Sequence, residues 1–313
     1  MLKKHQYFLV GLLIGGVGIY VADRVFTRDF DTTVQTVAIS EPEPVVEIKQ
    51  NNHAIKGYPV PEVMTFAGEA VPLDRMDVRE RLDRELQVNA FWHSNSIILI
   101  KRAQRWLPLL DSILAANDVP TDFKYLAVAE SGLAQVVSPA QAVGFWQIMK
   151  GTAGDFGLIV NKEVDQRYDP IRSTEAAIKY LKKAYEKFGD WALVAASYNM
   201  GMSGVAKVLE NQRATSYYDM VMTEEPSRYV FRILALKNML EDPTAYGFEI
   251  DEIYTPEPIE NITVEASIAN WNDFAEAHGT NYYQLKRLNP WIRTYDMRVK
   301  QGQKFEVKIP ARE

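Results

Sequence analysis

Apolar residues recur at helical spacing through the middle of this chain. Val78, Leu82, Leu86 and Ala90 stand four apart among charges, which predicts an amphipathic surface helix over 75–91. Ser96 to Ala116 reads as a second helix, with Pro108 expected to kink it or to begin a new one. The run from Phe123 to Gly132 is apolar almost throughout and reads as a short buried helix, with Asp122 capping its start and Gly132 closing it. Ser173 to Phe188 follows, with Ser173 as candidate cap and Ile178, Leu181 and Tyr185 inward. Asp190 caps Trp191 to Tyr198, and Pro226 to Leu240 is the last of the series, stopped by Pro243. Nothing between Asp74 and Asp242 alternates with period two, so this region reads as one all-α domain.

The two ends follow different patterns. Lys3 and Lys4 precede Tyr7 to Ala22, which carries no charge. At about 1.5 Å per residue such a helix falls short of a hydrocarbon core of about 30 Å, so the run is either a marginal anchor or a signal segment. Both readings export the remainder, and the two lysines favour an anchor with residues 1–6 in the cytoplasm. Glu41-Pro-Glu-Pro44 and Gln50-Asn-Asn52 mark residues 23–60 as a flexible linker. The main domain is expected over 61–248, a second linker with Thr255-Pro-Glu-Pro258 over 249–260, and a small module over 261–313. In that module Asn261 to Val264 reads as a strand, Trp271 to Ala277 and Asn281 to Leu288 as helices, and Gly302 to Pro310 as a final strand.

Composition narrows the chemistry. The chain of 313 residues has a net charge of −6 and no basic stripe, which argues against a nucleic-acid partner. It has no cysteine, which removes disulfides and thiolate metal sites. Four scattered histidines form no i, i+4 pair. Neither a metal nor a cofactor is expected.

Glu130 is the residue that asks for an explanation. It sits in the last turn of an apolar helix, where burial and the negative end of the helix dipole both disfavour its charge. That suits a carboxylic acid that donates a proton near neutral pH. The plain alternative is a buried glutamate neutralised by one arginine or lysine. Around it in the chain stand Ser138-Pro-Ala-Gln-Ala-Val-Gly-Phe-Trp-Gln-Ile-Met149, Gly151-Thr-Ala153, Ala196-Ser-Tyr-Asn-Met-Gly201 and Glu225-Pro-Ser-Arg-Tyr-Val230. Trp146 and Met149 read as core.

These pieces, in this order after Glu130-Ser131, resemble the lytic murein transglycosylases of the soluble-lytic-transglycosylase, goose-lysozyme-like group, the membrane-bound D type among them. The resemblance implies a mainly α fold, a lysozyme-like helical catalytic domain followed by a small βααβ module similar to LysM. It implies peptidoglycan glycan strands as partner, with the β-1,4 bond from N-acetylmuramic acid to N-acetylglucosamine cleaved without water as acceptor. It makes Glu130 the sole catalytic acid and base. Ser138 and Gln147 are expected to hydrogen-bond the sugar, Tyr198 and Asn199 to line the same subsite, Glu225 to support Tyr198, and Tyr229 to sit beside the catalytic carboxyl. The tail resembles LysM through Leu288-Asn-Pro290 and Gly302-Gln-Lys304, although Ala266-Ser-Ile-Ala269 stands where such modules carry a Gly-Asp-Thr turn. The expected place is the cell envelope, periplasmic and held at the inner membrane by residues 7–22. A hydrolytic muramidase on the same fold and a non-catalytic wall-binding scaffold are the alternatives.

Overall fold

The computed structural model describes residues 56–311. The expected cytoplasmic segment, the apolar run at 7–22 and most of the first linker lie outside them. Among the described residues no helix is long and apolar enough to cross a membrane.

A short hairpin, β1 (Thr65–Phe66) and β2 (Glu69–Ala70), leads into the helices α1 (Met76–Phe91) and α2 (His93–Ala115). Val78, Leu82, Leu86 and Ala90 are all buried, as their spacing requires. Pro108 does not start a new helix: α2 runs through it. The ring removes one backbone donor, while Ile100, Ala103, Leu110 and Leu114 on the same helix are buried in the core. Packing of that kind offsets a proline cost of about 3 kcal/mol.

Helix α3 (Lys124–Ser131) is packed between α2 and α8 (Glu224–Glu241). It ends on Gly132 in the left-handed conformation, whose N–H donates to the Val128 carbonyl. Asp122 does not cap it. Its carboxylate instead accepts from the Ala67 N–H at 2.7 Å and from Lys237 Nζ at 2.6 Å, tying the hairpin to α8. Ser173 is not a cap either. Helix α5 (Pro170–Phe188) starts three residues earlier, where Asp169 accepts from the Ile171 and Arg172 N–H groups and Pro170 opens the first turn. Asp190 does cap α6 (Trp191–Met200), accepting from the Leu193 N–H. A further helix, α7 (Met202–Gln212), was not foreseen.

Between α3 and α5 the chain is not helical throughout. Besides the short α4 (Lys150–Ala153), isolated antiparallel bridges join Val137 to Val143, Val143 to Ile148 and Val160 to Asp165. The local sequence carries no alternating signal there, because these pairs are single contacts rather than ladders.

The tail forms β3 (Ile259–Val264), α9 (Trp271–Ala277), α10 (Tyr282–Leu288) and β4 (Phe305–Pro310), with β3 antiparallel to β4. The described residues are therefore mainly helical, a helical lobe followed by a βααβ module. The module has its own apolar core around Trp271, Leu285, Ile292 and Val307. It does not hang free. Val164 of the helical lobe belongs to that core and pairs with Ile292. The segment before it is also held, since Arg105 Nε donates to the Thr255 carbonyl and Glu257 pairs with both Arg105 and Arg287.

Candidate active site

Glu130 occupies the final turn of α3, half-buried. The Tyr229 hydroxyl, carried on α8 and 2% exposed, donates to Glu130 Oε1. No arginine or lysine among the described residues forms an ion pair with Glu130, so the plain alternative does not hold. Burial pushes its carboxyl up to about 7, while the Tyr229 hydrogen bond and the Arg232 charge pull against that rise and the Glu225 charge adds to it. Burial and the Glu130 charge also raise the Tyr198 and Tyr229 hydroxyls well above the usual range, so both stay protonated donors.

Ser138 and Gln147 stand on the irregular loop 138–148. The Ser138 hydroxyl oxygen accepts from the Ala142 N–H at 3.0 Å, which closes a turn and leaves the hydroxyl proton to donate. Gln147 is a non-glycine residue at φ 46°, a strained conformation of the kind that clusters at functional sites. Its amide nitrogen donates to the carbonyls of Gly144 at 2.8 Å and Val136 at 3.2 Å. What it can offer a ligand is therefore its carbonyl oxygen. Trp146 between them is fully buried and its indole N–H donates to Thr174, but Met149 is exposed, contrary to its reading as core. Met149 precedes α4 in extended conformation and points outward, while Ile148 before it turns inward.

Tyr198 and Asn199 lie in the last turn of α6. The Tyr198 hydroxyl donates to the Trp146 carbonyl at 2.7 Å, which joins α6 to the loop and leaves the ring as a wall. Asn199 is exposed. Glu225 does not hold Tyr198. It is exposed in the first turn of α8 and paired through both oxygens with Arg232, at 2.9 and 3.1 Å. Two turns of helix separate the pair, so they share a face.

Arg232 is a charged neighbour of Glu130 that the sequence reading does not single out. It stands between Glu225 and the fully buried Glu85, which Arg228 also holds at 2.7 Å. The signal was present: Arg228 and Arg232 sit one turn apart on the helix that carries Tyr229. Asp165 and Arg167, paired and buried behind the loop, were also missed as a unit. No group of acidic or histidine side chains among the described residues is arranged to hold a metal.

If Tyr229 holds the carboxylate form, replacing it must raise the Glu130 pKa. Tyr229→Phe is expected to move the Glu130 titration, followed by carboxyl carbon NMR, to higher pH, with α3 and α8 intact. A titration that stays in place or moves down would show that the hydrogen bond does not favour the ionised form.

An acid raised toward neutrality, a tyrosine partner and an amide-bearing loop are groups that can exchange a proton and hydrogen bonds with a polar ligand. Family comparison gives the class: residues 113–221 match the transglycosylase SLT domain, and residues 260–313 the soluble lytic transglycosylase C-terminal LysM-like domain. The chain carries both domains, in that order. Glu225 and Tyr229 lie beyond the first match, yet Tyr229 touches Glu130. Over 222 residues the chain is homologous to the membrane-bound lytic murein transglycosylase D of Escherichia coli, with 24% identity across 69% of this chain and 48% of that protein. The chain thus spans about half the length of that relative. Among solved structures it is similar to the 70 kDa soluble lytic transglycosylase of Escherichia coli, with a TM-score of 0.39 and 24% identity over 44% of this chain and 24% of that one. It is similar also to the lytic transglycosylase Slt of Pseudomonas aeruginosa, with a TM-score of 0.38 and 20% identity over 54% and 33%.

Proposed function

We propose that this protein is a lytic transglycosylase of peptidoglycan. It cleaves the β-1,4 bond between N-acetylmuramic acid and N-acetylglucosamine and leaves 1,6-anhydro-N-acetylmuramic acid ends. The observation that carries this reading is a single half-buried carboxyl, Glu130, which accepts from the Tyr229 hydroxyl and which burial pushes up to about 7. Glycosidases that use water or a glycosyl-enzyme need two carboxyls about 5–5.5 Å or 6.5–9.5 Å apart. Of the three aspartates that next follow it in the chain, two have other work. Asp165 is locked to Arg167, Asp169 caps α5, and Asp155 is exposed in a short helical turn.

The substrate then supplies its own nucleophiles. Glu130 gives its proton to the leaving glycosidic oxygen while the acetamido oxygen bonds to C1. The 6-hydroxyl next attacks C1, the acetamido bond breaks, and the hydroxyl proton returns to Glu130. In this reading the Gln147 carbonyl oxygen accepts from the acetamido N–H and the Ser138 hydroxyl donates to a sugar oxygen. Tyr198 and Asn199 form the neighbouring wall, and Tyr229 steadies Glu130 when it is ionised. Glu225 acts through Arg232 rather than through Tyr198.

The domain limits we propose are 61–248 for the catalytic lobe and 261–313 for the LysM-like module. The name of the Escherichia coli relative, a membrane-bound murein enzyme, supports a place in the cell envelope. We assign the periplasmic face to the enzyme and the inner-membrane anchor to residues 7–22.

Digestion of sacculi in ¹⁸O-labelled water followed by mass spectrometry tests the reaction. Anhydro ends without label are expected. Label at C1 of muramic acid would make the protein a hydrolytic muramidase. No released product would leave a wall-binding scaffold.

A further inference from the structure

The loop that carries Ser138 and Gln147 is held, on one side, by a relay that begins in the C-terminal module. Arg167 Nη1 donates to the carbonyls of Gln141 at 3.1 Å, in the first half of the loop, and Ile148 at 3.2 Å, at its end. The Arg167 backbone carbonyl packs directly on Gly144 between them. Arg167 is 7% exposed, and Asp165 fixes its guanidinium through Nε at 2.9 Å and Nη2 at 2.7 Å. Such a fork has one orientation, so the donors aimed at the loop are set by where Asp165 stands.

Asp165 is in turn placed by the module. Its N–H donates to the Trp291 carbonyl at 2.8 Å. The Arg293 N–H donates to the Glu163 carbonyl at 2.8 Å, and the Arg298 N–H to Glu163 Oε2 at 2.9 Å. Val164, 2% exposed, pairs with Ile292 and is packed in the module's own core. The residues that dock the module and those that clamp the loop are thus neighbours in one short segment, 163–167.

We propose that the C-terminal module is a buttress of the active site as well as an appendage to it. Its docking on Glu163–Asp165 sets Asp165, Asp165 sets Arg167, and Arg167 is the positioning residue for the loop that presents Ser138 and Gln147. The functional half of this inference rests on the substrate roles given above; the mechanical half does not.

The test uses full-length protein and three substitutions: Val164→Thr at the docking contact, Asp165→Asn, and Arg167→Lys, together with the Val164→Thr/Arg167→Lys double variant. Hydrogen exchange at residues 136–148 is expected to quicken about tenfold in each single variant, with α5 to α8 unchanged. On soluble glycan fragments kcat is expected to fall about 100-fold for Arg167→Lys, as for any small misplacement of a substrate contact, with KM little changed. The double variant should be no worse than Arg167→Lys in either readout, because both changes cut one relay. Additive effects would overturn the proposal, since a merely destabilised interface adds its cost to that of a weakened loop. Quicker exchange confined to the module in Val164→Thr would overturn it too. If the wild type makes no anhydro product, the transglycosylase reading fails, and the relay is then judged on exchange and its non-additivity alone.

Discussion

Glu130→Gln is expected to lower turnover by about 10²–10⁴-fold or more while the protein stays folded and still retains glycan. The amide keeps the shape of the carboxyl, and its oxygen can still accept from the Tyr229 hydroxyl, but it cannot give a proton and take it back. A second, independent effect is expected on stability. The folded-state pKa is raised from 4.5 to about 7, so the native state holds this proton more tightly than the unfolded chain. Stability from this group is complete below about pH 4.5 and is lost as pH climbs through about 7. The gap is worth up to about 3 kcal/mol, less what solvent at a half-buried carboxyl screens. Denaturant unfolding should therefore find the variant as stable as wild type at pH 4 and more stable at pH 8. Wild-type turnover in the variant would remove Glu130 from the mechanism; an advantage that is equal at both pH values would remove the raised pKa.

What could be read in advance follows from where each interaction closes. The amphipathic helices, the Asp190 cap and the four elements of the C-terminal module are local in sequence, and their patterns name them. Asp169-Pro170 is also a local signal, a cap followed by a first-turn proline, and it outcompetes Ser173 as the start of the helix. Helix α7 had Val205, Val208 and Leu209 at helical spacing, hidden behind Gly201 and Gly204. The loop 138–148 is different in kind. Its shape depends on Arg167, 19 to 26 residues away in the chain, and no periodicity announces a guanidinium that meets two backbone carbonyls. The position of Glu130 was legible because an acid in an apolar helix is costly. Its setting was less so: that Arg232 rather than Tyr198 would hold Glu225 turns on which face of α8 looks toward α3. The docking of the module through Val164 was invisible, since a valine at a bridge reads like any other.

Gly144→Ala is expected to be among the most damaging changes that substitute none of the proposed site residues. A Cβ on Gly144 would stand 2.1 Å from the Arg167 carbonyl oxygen, and that oxygen is backbone and cannot swing aside. The residue also sits at φ +79°, where a side chain costs about 1–2 kcal/mol by itself. Overpacking adds about 1–3 kcal/mol, so a total of about 2–5 kcal/mol is expected. The relief open to the chain is to move the loop away from Arg167. Gly144 cannot move alone: its N–H donates to the Val136 carbonyl, and its own carbonyl accepts from both the backbone N–H and the side-chain amide of Gln147. Gln147 would move with it, so the variants that fold should also lose turnover. Gly189→Ala is the control, because Gly189 at φ +64° has nothing within 4 Å of an added Cβ and pays only the backbone strain. Thermal unfolding of the two variants, with turnover measured well below the lower Tm, separates the effects. Equal losses of Tm in the two would mean that Arg167 does not press on Gly144, and full turnover in folded Gly144→Ala would mean that the placement of Gln147 does not limit the reaction.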